Sequence, residues 1–394
     1  MDSKAVNKLK IFKNEILVGN LERTNDGCCI ELTDEFKKTK KNLTFKISSE
    51  EKKIEFKGVG LPPYFAGLLP EGLRLKALIK RLKTSQDDLF SILVASGGQT
   101  IGDIHFENDE SLTSMEDLLN DFNSIKEQLH QGQDPGHNAI AGVQDKLSAD
   151  RISLPTTIKK RNKSYILKLT STEFPEVIQN EWQCIEIAKA CGLSINKAQI
   201  VKDAKQNPAL LVERFDREWN KLEKKWQCFH QEDACQFLNR YPADKYRLTF
   251  QEIADEVANL ATSPEIEVLN LLKLKAFSYL IGNGDLHAKN ISLTQKSESD
   301  ICKLTPCYDL VCTALYGDQK MALMFLGKNQ NLKKKNFIEF GQRYDIPEAA
   351  TVSMLEKLVS QFEKNYQHFF SFPLAKKKGK FLNQFFKERI KHLL

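Results

Sequence analysis

Asp285 and Asn290 stand five residues apart in Gly284-Asp285-Leu286-His287-Ala288-Lys289-Asn290, and Tyr308-Asp309-Leu310 follows. A phosphotransfer loop sets its base carboxylate and its metal-binding amide at that spacing. Asp285 would aim at an acceptor hydroxyl, while Asn290 swings its amide back towards Mg²⁺. Asp309 is placed to be a second carboxylate that clamps the same metal from another side. An Asp or Asn in a glycine-containing loop ordinarily closes a turn or caps a helix. The sharper reading therefore rests on the other parts such chemistry needs: a phosphate cover, a phosphate lysine and an adenine hinge.

Candidates for all three precede the loop in a sensible order. Ile140-Ala141-Gly142-Val143-Gln144-Asp145-Lys146 has a small-residue turn, at which the Gly142 backbone could approach phosphates and Lys146 neutralise charge. It matches neither a Walker motif nor a three-glycine loop, and it also reads as an ordinary turn leading into a strand. Lys168 sits between apolar residues in Tyr165-Ile166-Leu167-Lys168-Leu169, like the strand lysine that pairs nucleotide phosphates with a helix glutamate, here Glu181. The plain alternative is an edge-strand lysine pointing to water. Leu211-Val212-Glu213-Arg214-Phe215-Asp216-Arg217 ends a strand, and backbone groups at Glu213 and Phe215 would face an adenine edge. Glu232 and Asp233 suit the first turn of a helix, where the macrodipole favours acids.

The elements that must position these groups can be read from periodicity. Strands are expected at 9–12, 16–18, 28–32, 43–47 and 101–106, with helices over 71–82, 85–94 and 114–129. Strands return at 151–154, 164–169, 198–201 and 209–213, around a helix over 175–190 that stops at Gly192. From about Gln231 onwards helical patterns dominate, except for a hairpin of 291–293 with 302–304 that joins Asn290 to Asp309. Mixed α and β first, then mostly helix, predicts an α+β chain with a two-lobed, kinase-like organisation. The expected divisions are an N-terminal β-rich subdomain over 1–110, the remainder of the N-terminal lobe over 111–217, and a mostly helical C-terminal lobe over 218–394.

Bulk properties set the bounds. At 394 residues, 41% hydrophobic and 28% charged, the chain can bury a sizeable core as a globular protein. The net charge of +6 is mild, and the lysine runs at 37–41, 333–335 and 376–380 read first as solvated faces. Nine scattered cysteines without a CxxC pair argue for reduced thiols, and seven dispersed histidines against structural zinc. No leader-like N-terminal segment and no membrane-length apolar run is seen, so a cytoplasmic protein without membrane contact is expected.

Taken together these residues resemble the HipA family of bacterial Ser/Thr kinases, the toxin half of HipA–HipB toxin–antitoxin pairs. The likeness runs through Tyr64-Phe65-Ala66-Gly67-Leu68-Leu69-Pro70-Glu71-Gly72, Gly97-Gly98-Gln99-Thr100-Ile101-Gly102 and the segments quoted above, with Gln231-Glu232-Asp233, Cys235-Gln236 and Pro306-Cys307-Tyr308-Asp309. It implies ATP and Mg²⁺ as cofactors. Asp285 would be catalytic and Asn290 and Asp309 metal ligands. Lys168 would bind phosphates, Glu213 and Phe215 would face adenine, His287 would line the site, and Lys289 would offset phosphoryl charge. It further implies a protein substrate, in some relatives an aminoacyl-tRNA synthetase whose modification stalls translation. The implied partner is a HipB-like helix-turn-helix antitoxin, through which DNA is met only indirectly.

Two departures stand out. Relatives commonly carry an autophosphorylated serine where this chain has Ala139, which puts that off-switch in doubt. The residue after the catalytic Asp, often Gly, is Leu286. Asp-Leu-His echoes small-molecule phosphotransferases of the aminoglycoside type. That reading, and a catalytically idle co-repressor with a kinase fold, stand as the alternatives.

Overall fold

The computed structural model describes residues 6–51, 53–58, 60–96, 100–107, 118–133, 152–158, 162–170, 173–296 and 301–394. The chain forms two compact units. One is built from Met1–Leu169, Val201–Pro242 and Thr294–Asp300, the other from Thr170–Ile200, Ala243–Leu293 and Ile301–Leu394.

The first unit opens with a five-stranded antiparallel sheet in the order β4-β3-β2-β1-β5. Its strands are β1 (Lys8–Lys13), β2 (Ile16–Thr24), β3 (Gly27–Leu32), β4 (Lys53–Lys57) and β5 (Ile104–Phe106). Alternation sends Leu9, Ile11 and Lys13 of β1 to the buried face. There the two apolar side chains join a core with Phe36, Phe65 and Phe90. The strand expected at 43–47 is instead a bend. The Thr44 hydroxyl accepts from the Lys46 and Ile47 N–H groups, a local turn that competes with strand pairing. The bend aims the Asn42 and Leu43 carbonyls at the Lys13 ammonium, at 3.0 and 3.1 Å.

A second sheet of this unit pairs β6 (Ile152–Ile158), β7 (Lys163–Leu169) and β9 (Pro208–Glu213) antiparallel in the order β6-β7-β9. β8 (Ala198–Lys202) leads into β9 through a turn that Asp203 ties, accepting from the Lys205 and Asn207 N–H groups. Asp203 also accepts from the Phe122 N–H at 2.9 Å. That bond holds the start of the helix Phe122–Gln131, shorter than the 114–129 expected, at least over the described residues. The chain does not turn helical after β9. β10 (Arg217–Asn220) and β11 (Lys225–Cys228) form a hairpin in which Trp219 opposes Trp226, ring centroids 5.4 Å apart. β12 (His230–Asp233) follows where a helix start was expected. Asp233 does cap a helix, but the short one at Ala234–Phe237, in a capping box with Gln236.

The second unit is mostly helical: Val177–Ala190, Phe250–Leu260, Pro264–Ile281, Lys334–Gln342, Glu348–Asn365 and Gly379–Leu393. Pro264–Ile281 buries most of its residues and runs through the core of the unit, burying Leu271, Leu272, Phe277 and Leu280. The expected hairpin is present as β13 (Ser292–Gln295) and β14 (Lys303–Leu304), which pair with each other.

Candidate active site

The phosphotransfer-like loop is made by a helix that stops where it must. Pro264–Ile281 ends at Gly282, whose φ of 72° lies in the left-handed region that glycine adopts without penalty. Asn283 N–H returns to the Ser278 carbonyl at 2.8 Å, completing the cap. Gly284 is required by close approach: a Cβ there would lie 2.5 Å from the Lys320 carbonyl and 2.7 Å from Thr313 Oγ1. Its N–H donates to that same hydroxyl oxygen at 2.7 Å.

From Asp285 the backbone folds on itself. The Asp285 carbonyl accepts both the His287 N–H and the Asn290 side-chain amide, each at 2.8 Å. Asp285 N–H donates to Asn283 Oδ1 at 3.0 Å, and Asn290 N–H to the His287 carbonyl at 2.9 Å. Residues 288–290 form a single 3₁₀ turn. Leu286, which follows Asp285, is buried.

His287 is fully buried, and among the described residues neither ring nitrogen has a hydrogen-bond partner. Burial first, then the Lys245 and Lys289 ammonium groups, push its pKa well below the usual histidine range against the pull of Asp309. The ring is therefore a neutral imidazole. Asn290 Oδ1 is likewise buried without a partner among the described residues. The amide nitrogen is spent on Asp285, while none of the described residues satisfies the oxygen. Burying such an atom unsatisfied costs about 1–3 kcal/mol.

The second acidic residue is fastened to the same loop. The Tyr308 hydroxyl donates to the Lys289 carbonyl at 2.7 Å and stands 2.6 Å from Ser292 Oγ. Asp309 follows directly, half-buried, with φ 54°. A non-glycine residue at positive φ is uncommon and marks a constrained position. Beyond it, Asn180 on the helix Val177–Ala190 grips Cys312 twice: its amide donates to the Cys312 carbonyl at 3.0 Å and its oxygen accepts the Cys312 N–H at 2.9 Å.

Among the described residues no group of three or more His, Cys, Asp and Glu could hold a metal by itself. An Asn–Asp pair with an unsatisfied amide oxygen suits Mg²⁺, which takes few protein oxygens and keeps positions for phosphate and water. Asn290 and Asp309 fit that ion as ligands.

In the first unit, Lys168 lies on β7, the middle strand of the trio, and is buried rather than edge-exposed. Glu213 ends β9, paired in register with Tyr165, and its carboxylate meets the Lys163 ammonium. Alternation splits the segment that follows. Arg214 and Asp216 turn inward while Glu213 and Phe215 stay half-exposed. The inward pair is structural. Arg214 Nε donates to Asp216 Oδ1 at 2.8 Å, Asp216 Oδ2 accepts the Gly102 N–H at 3.0 Å, and both Arg214 and Arg217 donate to the Thr100 carbonyl. Gly142 and Lys146, together with Ala139 and residues 97–99, lie outside the described residues.

Several residues of consequence lie outside the phosphotransfer loop. His230 is buried between Asp103 and Glu232, with Nδ1 and Nε2 at 2.9 and 2.8 Å from their oxygens. Burial and Lys13 work to lower its pKa, yet the two carboxylates raise it above the usual histidine value. Glu232 also accepts the Phe45 N–H at 2.6 Å, so its role is to tie the 43–47 bend to β12 rather than to open a helix. Gln236 donates to the Tyr64 carbonyl at 3.0 Å, and a Cβ on Gly67 would meet its side chain at 2.8 Å. That contact holds the Tyr64–Gly72 and Gln231–Gln236 segments against each other.

Comparison with known proteins agrees with this picture. A family model described as the HipA-like C-terminal domain matches residues 138–366, and the HipA N-terminal domain model matches residues 9–107. Y4mE of Sinorhizobium fredii, a candidate kinase by its name, is 29% identical over 68% of this chain and 69% of its own length. The serine/threonine-protein kinase toxin HipA of Shewanella oneidensis is 25% identical over 80% of this chain and 77% of its own. The solved Shewanella oneidensis HipA, in complex with HipB and its operator DNA, superposes with a TM-score of 0.75 at 20% identity, covering 98% of this chain and 96% of that one. That likeness shows the fold. Among the described residues, no helix is long and apolar enough to cross a membrane.

Proposed function

Because the chain belongs to the HipA family, we propose that it is an ATP- and Mg²⁺-dependent kinase that phosphorylates serine or threonine hydroxyls of a protein. The observation that carries this reading is Asn290. Its amide is locked to the Asp285 carbonyl, while its oxygen is buried with no partner among the described residues and suits a metal ligand. Asp285 orients the acceptor hydroxyl and takes its proton. Lys168 and Lys289 offset charge on the transferring phosphoryl group. The neutral His287 packs behind the loop without adding charge. A Mg²⁺ held by Asn290 and Asp309 would neutralise phosphate charge as a Lewis acid. Glu213 and Phe215 present their backbone to adenine, with Gly142 and Lys146 serving the phosphates.

As the family resemblance implies, the chain acts in the cytoplasm on a translation component such as an aminoacyl-tRNA synthetase. It arrests growth and is held by a HipB-like DNA-binding partner. The match of residues 9–107 to the HipA N-terminal domain favours this over a small-molecule phosphotransferase. The test is labelling of a bacterial lysate with γ-labelled ATP. Wild type should label discrete protein bands that Asp285→Ala does not, and equal labelling by both sinks the assignment.

A further inference from the structure

We infer that Tyr246 is a positioning residue for the phosphotransfer loop, holding the Asp285 carboxylate in one orientation for its acceptor. The inference rests on the kinase reading above. The Tyr246 hydroxyl donates to Asp285 Oδ1 at 2.6 Å, the short distance typical of a hydroxyl on a charged carboxylate. The edge of its ring stands against His287, centroids 5.0 Å apart and planes at 85°.

The segment that carries Tyr246 grips the loop at a second point. The Lys245 carbonyl accepts the Ala288 N–H at 3.1 Å, three residues beyond Asp285. Just downstream, Thr249 opens the helix Phe250–Leu260 with a capping box, so Tyr246 sits three residues before a fixed helix start. Its side chain and the neighbouring backbone thus clamp the loop on both sides of the buried His287.

A carboxylate that serves as base must present a defined oxygen at a defined angle. A phenol bonded to Oδ1 fixes the carboxylate plane. Without the hydroxyl the carboxylate is freer to rotate. Tyr246 breaks and forms no bond in the transfer itself; it acts through Asp285.

Hydrolysis of ATP by the purified full chain tests this without a known protein acceptor, since water replaces the hydroxyl. Tyr246→Phe keeps the ring against His287 and removes only the donor. The expected result is a kcat lower by about tenfold, the scale of one charge-assisted hydrogen bond. KM for ATP and the thermal midpoint should stay close to wild type, KM within about twofold. Wild-type kcat in Tyr246→Phe overturns the inference. So does a loss of kcat matched by a raised KM and a lowered thermal midpoint, because that is a structural role only. Wild type no faster than Asp285→Ala is a different failure: it removes the kinase reading itself, and this inference with it.

Discussion

The Asn290 side-chain amide donates to the backbone carbonyl of Asp285 at 2.8 Å, so one hydrogen bond fixes the candidate metal ligand to the candidate base. The donor nitrogen and the unsatisfied oxygen of Asn290 are separable by mutation, and their separation gives the first prediction.

Asn290→Ala removes both atoms and should raise the Mg²⁺ concentration for half-maximal ATP turnover by at least about tenfold. Asn290→Asp retains an oxygen for the metal but loses the donor to Asp285. Its Mg²⁺ requirement should stay closer to wild type while its turnover falls. Titrating turnover against Mg²⁺ checks both, and identical curves for Asn290→Ala and wild type would refute the ligand role.

Lys275 should make stability depend on pH in the alkaline range. It is fully buried on the helix Pro264–Ile281, donates to the Leu323 carbonyl at 2.9 Å and stands 5.0 Å from the Phe250 ring centroid. Burial first, then Arg389, lower its pKa from 10.5 to about 7. The unfolded chain therefore holds a proton that the folded chain has lost between those two values. Stability should rise with pH across that window, by at most about 1.4 kcal/mol per pH unit, and the full penalty should be present below pH 7. Urea midpoints from pH 6 to 9 should climb in wild type and flatten in Lys275→Met. Parallel curves would show that Lys275 keeps its proton in the fold.

Asp216 should behave as the keystone of the Val212–Arg217 segment. Burial alone would raise its pKa, but Arg214 and Arg217 hold its carboxyl well below the usual carboxylate range. Asp216→Asn leaves two buried guanidinium groups without their counter-charge and should cost about 3 kcal/mol, read from denaturant unfolding. A change under about 0.5 kcal/mol would mean that the two arginines find compensation elsewhere.

What the sequence revealed and what it hid follow the range of the interactions. Asp285, His287, Lys289 and Asn290 were legible because one short turn holds them, and the helix stop at Gly282 and the hairpin to Asp309 are local patterns too. Lys168 was legible as a lysine within an apolar strand. The β10–β11 hairpin was hidden because its loop, Lys221-Leu222-Glu223-Lys224, is mostly charged, and its pairing rests on Trp219 opposite Trp226. The 43–47 bend was misread because Leu43, Phe45 and Ile47 alternate like a strand, while Thr44 closes a turn inside the pattern. Tyr246 and Asn180 gave no signal at all. Their partners, Asp285 and Cys312, lie 39 and 132 residues away, where only the folded chain brings them together.

The central claim is that Asp285, Asn290 and Asp309 form a Mg²⁺-dependent phosphotransfer site directed at hydroxyl groups. The most direct measurement is phosphoamino-acid analysis of bacterial proteins incubated with the purified chain and γ-labelled ATP, with Mg²⁺ or with EDTA. Phosphoserine or phosphothreonine should appear with wild type and Mg²⁺, and should vanish with EDTA or with Asp285→Ala. Labelling that survives either change, or wild type that labels nothing, contradicts the account.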